Sequence, residues 1–387
     1  MNKRVFTTMA GLAALAIAST ASAQTNIIRI TGSTAFRAAT HTAISHVLNP
    51  GFVYGYSGTS SNGASIAEYR GSTIGDNLPV DIKTSWAGSV GGVATLVNNA
   101  TISTWLAATN LTAAGTQNET GPYDAPVTAD VTMSDSFQGS TAFTSPTLND
   151  QTVGVVPFVW VRNNGSPSAI TNMTSLLAQA LLSNGRVRLS QFTGVEADAT
   201  PVLAVGRDAD SGTRLCAFAD SGFGVFSLPV QYQVDISAGA VTNVEFYPPQ
   251  TINGDFYDYG QGGYSGGGSV ASALNATNSS SVVNPGLTIS NGCWMVGYLG
   301  VNDASGVNGN NNLTYNGVAY STNAVAEGTY TFWAYEHLMY RSSLAGDQKT
   351  VADKIATQIK NTDASVSGIL LPLMKVSRTV EGGVVTR

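Results

Sequence analysis

The chain has 387 residues, 18 Lys and Arg against 24 Asp and Glu, a formal net charge of −6 and only 11% charged residues. It carries no basic tract to hold nucleic acid or an anionic lipid surface, so any anion it binds must be held by local donors. Its length suffices for two domains with cores of their own.

Lys3 and Arg4 precede an apolar run over 5–17, and Ala21-Ser22-Ala23 supplies a small-x-small cleavage pattern. This predicts a secretory signal peptide over 1–23, cleaved after Ala23. No cysteine follows that would take a lipid, and no later segment has the roughly 18 unbroken apolar residues of a membrane helix. The expected product is a soluble protein, periplasmic or secreted, with no membrane insertion.

Residues 26–31 (NIIRIT) read as a strand ending in Gly32-Ser33-Thr34, and 35–48 as a helix stopped by Asn49-Pro50-Gly51. A hairpin is expected from 52–56 and 65–69 around a turn at 58–63. The strand 80–86 runs into Gly88-Ser89-Val90-Gly91-Gly92 and a helix over 93–99. Residues 111–128 read as a loop-rich insertion, and 130–133 as a strand feeding Ser134-Asp135-Ser136. The run VGVVPFVWV over 153–161 suits a strand buried on both faces. A helix over 173–182 follows, and then a strand over 202–205 leads through Gly206-Arg207 to Asp210-Ser211-Gly212-Thr213 and a further helix. Strands are expected within 225–250, a Gly/Ser/Asn-rich loop over 254–284, a buried strand over 293–299, and helices over 329–341 and 350–360. This alternation argues for an α/β fold built on two open sheets. Cys216 and Cys293 are the only cysteines. Their even number in an oxidising compartment predicts a disulfide.

A strand, a Gly/Ser/Thr turn and a helix follow one another three times, at 32–34, 88–92 and 210–213. Such turns present unpaired amides, hydroxyls and the positive end of a helix dipole, although each alone is also an ordinary helix cap. In open α/β sheets, ligands bind beyond the carboxyl ends of strands, where such turns gather. Arg207 adds a fork of five donors that keeps its charge. Asp135, when ionised, only accepts hydrogen bonds. It can therefore face an anion that carries a proton, but against a fully ionised one it meets repulsion. Asp208 and Asp210 read as turn formers.

The order of these motifs resembles the phosphate-binding proteins of bacterial ABC uptake systems, in the type II periplasmic binding protein superfamily. That family has a first Gly/Ser/Thr turn, a GSSGG-like turn, an ASDAP-like strand end and an R-x-D-G-S-G-T segment. The matching residues are Ser33 and Thr34 with Phe36 near the aromatic position, then Ser89, Asp135, Arg207, Ser211, Gly212 and Thr213. The first turn fits in two registers. Ser60-Ser61-Asn62-Gly63 competes with Ser89 for the second turn, but Ser89 lies between a strand and a helix. The interval from Ser89 to Asp135 is longer than the family pattern. The resemblance implies a two-domain fold with a hinge and an interdomain cleft, one domain from 24–152 with 325–387 and the other from 153–324. It further implies a monomer that binds phosphate or a similar oxyanion and delivers it to ABC transporter membrane subunits, with no catalysis, metal or cofactor. The alternatives are an adhesive or structural surface protein that keeps this fold, and a binder of another oxyanion or small solute.

Other motifs carry less. Gly263-Tyr264-Ser265-Gly266-Gly267 spells a nucleophile elbow without its flanking strand and helix. His41, His46 and His337 lack metal-ligand spacing, and no phosphate-binding P-loop is present. Trp333, Tyr335 and Tyr340 read as core packing.

Overall fold

A computed structural model describes residues 25–117, 121–277, 292–309 and 311–387. The expected signal peptide and the 278–284 part of the Gly-rich stretch lie outside these residues. Eleven strands form one mixed sheet: β1 (Asn26–Gly32), β2 (Val53–Ser57), β3 (Ile66–Ser72), β4 (Pro79–Ser85), β5 (Thr116–Gln117), β6 (Val131–Ser134), β7 (Asn149–Arg162), β8 (Arg186–Arg188), β9 (Pro201–Val205), β10 (Trp294–Gly300) and β11 (Trp333–Tyr340). The principal helices are α1 (Arg37–Val47), α2 (Ser89–Val97), α3 (Ser175–Asn184), α4 (Gly212–Ser221), α5 (Gly267–Asn275) and α6 (Gly346–Gln358).

The strand order is β8-β9-β10-β7-β11-β6-β1-β4-β3-β2-β5. Instead of the two sheets expected, one large sheet forms, because β7 is long enough to pair with β11 along one part of its length and with β10 along the other. Its residues up to Pro157 pair with β11, and Phe158 onward pair with β10. The exchange falls at a proline, which has no amide to give to a ladder. As the apolar run implied, 153–161 is buried throughout.

Two further segments differ from the sequence reading. Residues 329–341 hold the strand β11, not a helix. Its residues are buried on both faces except for a half-buried Tyr335, so no alternation of buried and exposed positions separates strand from helix. The 254–284 stretch is not all loop. It contains a strand (Asp255–Tyr257) paired with Gln250–Ile252, and the helix α5.

Helix α2 begins at Ser89, earlier than expected, so Gly91 and Gly92 are helical. Helix packing explains both glycines. A Cβ at Gly92 would lie 2.7 Å from Gly32 Cα, and one at Gly91 would lie 2.7 Å from Asp210 Cγ. Among the described residues, no helix is long and apolar enough to cross a membrane.

Candidate functional site

The sheet topology gathers the three turns. β1 and β6 are parallel neighbours, with Gly32 beside Met133, so Ser33 and Asp135 leave the same edge of the sheet. The Ser33 amide donates to Met133 O at 2.8 Å. From α2, Ser89 Oγ accepts the Asp135 amide at 3.2 Å. The competing Ser60–Gly63 segment lies on the exposed hairpin turn.

The start of α4 packs directly onto this edge. Thr213 Oγ1 donates to Asp135 Oδ2 at 3.4 Å, and a Cβ on Gly212 would overlap Asp135 Oδ1. The Ser211 hydroxyl caps α4 by accepting the Arg214 amide at 3.2 Å. The Gly212 and Thr213 amides belong to the first turn of α4 and have no intrahelical acceptor.

Arg207 is 2% exposed and reaches across to Thr34, donating from Nη1 to Oγ1 at 3.3 Å. Its orientation is set by carbonyl groups: Nε donates to Tyr264 O at 3.0 Å and Nη2 to Ser265 O at 2.8 Å. The GYSGG segment is thus a carbonyl cradle for the arginine. Its glycine at 263 is required because a Cβ there would overlap the Arg207 main chain. Behind it, Gln231 and Tyr298 hold the Arg207 main chain, through Gln231 Nε2 to Arg207 O (3.1 Å) and Arg207 N to Tyr298 Oη (3.2 Å).

Two site atoms stay unpartnered although buried, Ser33 Oγ and Asp135 Oδ1. Burial is the main cause that pushes the Asp135 carboxyl up to about 6, and Glu381 adds to it. Hydrogen bonding with Ser89 and the charge of Arg207 oppose that rise. Asp135 is therefore mostly ionised at neutral pH, a buried acceptor facing a buried cation. This arrangement can hold a small oxyanion that carries a proton: Arg207, the hydroxyls and the α4 amides donate, and Asp135 accepts.

No protein-family model matches the sequence, and no curated protein matches it. Among solved structures, the fold matches a Clostridium perfringens protein assigned as a phosphate ABC transporter substrate-binding protein, solved with bound phosphate. The TM-score is 0.50 at 14% identity, covering 89% of this chain and 99% of that one. The chain has the two-domain periplasmic-binding-protein fold. An ABC-type phosphate transport receptor from Vibrio cholerae aligns over 89% of this chain and 100% of its own, at 14% identity and a TM-score of 0.48.

Within this binding-protein fold, two expected roles change. Phe36 is fully buried, its ring against Gly154 and Gly368, where added Cβ atoms would lie 3.0 and 3.3 Å from it. It serves the core. Cys216 and Cys293 are both free and buried, not bridged. Cys293 immediately precedes β10, which runs parallel to β9, whereas Cys216 lies on α4, the helix that follows the opposite end of β9 in the chain. The Cys216 thiol instead donates to Asp135 O at 3.2 Å, and burial raises its pKa well above the usual thiol value.

The histidines have structural partners. His41 is buried between Ser61 O and Thr84 Oγ1, both at 2.9 Å, and burial lowers its pKa to about 4. His46 pairs with Asp363 and His337 with Asp150. Among the described residues, no group of three or more His, Cys, Asp or Glu side chains is placed to hold a metal.

The sequence reading missed Glu336, which β11 brings beside Ser33 and Asp135. Its signal was hidden by reading that segment as a helix.

Proposed function

We propose that the protein is an exported solute-binding protein that holds inorganic phosphate between its two lobes and makes or breaks no bond in it. The observation that carries this reading is Asp135. It is a buried carboxylate with one oxygen unpartnered, set across the lobe junction from Arg207 and the Ser211-Gly212-Thr213 turn. A buried acceptor among donors fits an anion that brings its own proton, as phosphate does at neutral pH and sulfate does not. The phosphate bound in the Clostridium perfringens structure of the same fold supports the choice of ligand.

On this reading the lobes are 24–152 with 325–387, and 153–324, hinging where β7 exchanges partners. Contacts made to the anion only in the closed form favour closure. The chain is a monomer, cleaved after Ala23 and exported to the periplasm or beyond, and it passes its anion to ABC transporter membrane subunits. Calorimetric titration near neutral pH tests the reading. The expected result is saturable heat with phosphate and none with sulfate. No response to millimolar phosphate overturns the reading, and equal affinity for sulfate removes Asp135 from its role.

A further inference from the structure

Glu336 sits in the middle of β11, paired with Gly154 of β7, and is 0% exposed. Neither carboxyl oxygen has a hydrogen-bond partner. The antiparallel register of β11 and β6 ends with His337 beside Ser134, and one step further places Glu336 alongside Asp135. The polar groups that act on it are the Ser33 hydroxyl and the Asp135 carboxylate. Unpartnered oxygens of Ser33, Asp135 and Glu336 therefore collect at the ends or middles of three adjacent strands, β1, β6 and β11.

On the phosphate reading, two carboxylates and an anion cannot all be charged side by side out of water, so one carboxyl keeps its proton. Asp135 has the Ser89 and Thr213 hydroxyls and the field of Arg207 to stabilise its charge. Glu336 has only the nearby Ser33 hydroxyl, outside hydrogen-bonding geometry, and burial and Asp135 hold it well above the usual carboxylate range. A protonated carboxyl donates a hydrogen bond. We propose that Glu336 is a specificity-determining residue of the anion site, a neutral carboxylic acid that donates to an anion oxygen beside Ser33, while Asp135 accepts.

This proposal rests on the phosphate reading and adds a pH dependence to it: binding weakens once Glu336 ionises. The charged groups around the pair are Asp135 itself, with Arg207 from the opposite lobe and Glu381 from the C-terminal tail acting on Asp135. His337, the next residue of β11, is occupied by Asp150 at 2.8 Å and packs on Phe137.

The test is calorimetric titration of the wild type, Glu336→Leu and Glu336→Gln with inorganic phosphate from about pH 7 to 10, above the usual carboxylate range. Glu336→Leu is expected to bind about tenfold more weakly or worse, as for a lost hydrogen bond to a charged partner. Glu336→Gln, which keeps an N–H donor, recovers most of that loss, and its affinity stays level on the alkaline side where the wild type declines. If Glu336→Leu does not fold, the wild-type and Glu336→Gln pH profiles decide alone. Wild-type affinity in Glu336→Leu, or parallel alkaline decline in the wild type and Glu336→Gln, overturns the proposal and leaves the phosphate reading standing. A wild type that gives no heat with phosphate overturns both.

Discussion

The main-chain oxygen of Asp210 accepts a hydrogen bond from the Val90 amide at 2.9 Å, and with it the Gly91 amide at 3.2 Å. The turn after β9 thereby caps the first turn of α2. The positive end of α2 is occupied by the protein's own carbonyl. On the phosphate reading, the donors then come from Ser33, Thr34, Glu336, Arg207 and the start of α4, while α2 contributes Ser89, which accepts the Asp135 amide.

Closure at this junction has no spare volume. A Cβ on Gly212 would overlap Asp135 Oδ1 and lie 2.7 Å from Ser89 Cβ. Gly212→Ala is expected to hold the lobes apart and to weaken phosphate binding by about 1–3 kcal/mol, the usual cost of overpacking. Each lobe should keep its fold. Calorimetry gives the affinity, and small-angle scattering should show the variant failing to compact with phosphate. Normal compaction in Gly212→Ala contradicts the geometry.

Arg207 is held by carbonyl oxygens of 264 and 265, which leaves the rest of its fork for the junction. Arg207→Ala is expected to weaken phosphate binding by about 2 kcal/mol or more, as for a lost charge-assisted donor. Arg207→Lys should recover only part of this, because an ammonium cannot fill two carbonyl contacts and face the anion with a planar fork. Unchanged affinity in Arg207→Ala places the site elsewhere.

Much of the candidate site's layout is legible in the sequence because turn chemistry follows a strand in each case. Ser33, Ser89, Asp135, Arg207 and 211–213 are all found where strand ends converge. Glu336 is not legible, since TYTFWAYEHLMYR is buried on nearly every side and its period is masked. The cradle for Arg207 is equally hidden, because it uses the main-chain oxygens of Tyr264 and Ser265, and carbonyls leave no trace in side-chain identity. The single sheet escapes notice for a related reason. The partner exchange along β7 depends on which strands return beside it, a long-range fact that the run 153–161 does not contain.

Burial of Asp135 also has a stability consequence. Its carboxyl is raised from 3.8 to about 6 in the folded protein. Between those values the folded state binds more protons than the unfolded chain, so this contribution to stability is complete at acid pH and is lost as pH rises through about 6. His41, lowered to about 4 by burial, acts in the opposite direction, but equally in wild type and variant. Without phosphate, Asp135→Asn should therefore gain stability relative to wild type as pH rises from about 4 to 7, by about 2–3 kcal/mol. Denaturant unfolding at several pH values measures the difference. A gap that does not change with pH shows that Asp135 is solvated.

A second buried charge cluster fastens the chain after α2 to the sheet. Lys83 on β4 donates to Leu106 O at 2.7 Å and lies 3.0 Å from Asp124 and 3.6 Å from Glu68. Glu68 is 0% exposed, pairs with Arg70 and accepts the Ala108 amide at 2.8 Å. When Lys83 is removed, Arg70 stays beside Glu68, but at 45% exposure it only partly offsets the buried carboxylate, at a cost of about 3–5 kcal/mol. Lys83→Met is expected to destabilise the protein by that amount in urea unfolding. Adding Glu68→Gln should restore much of the loss, since the uncompensated carboxylate is then gone. Equal destabilisation by the single and double variants would mean that the Lys83 contact to Leu106 O, and not its charge, holds this segment down.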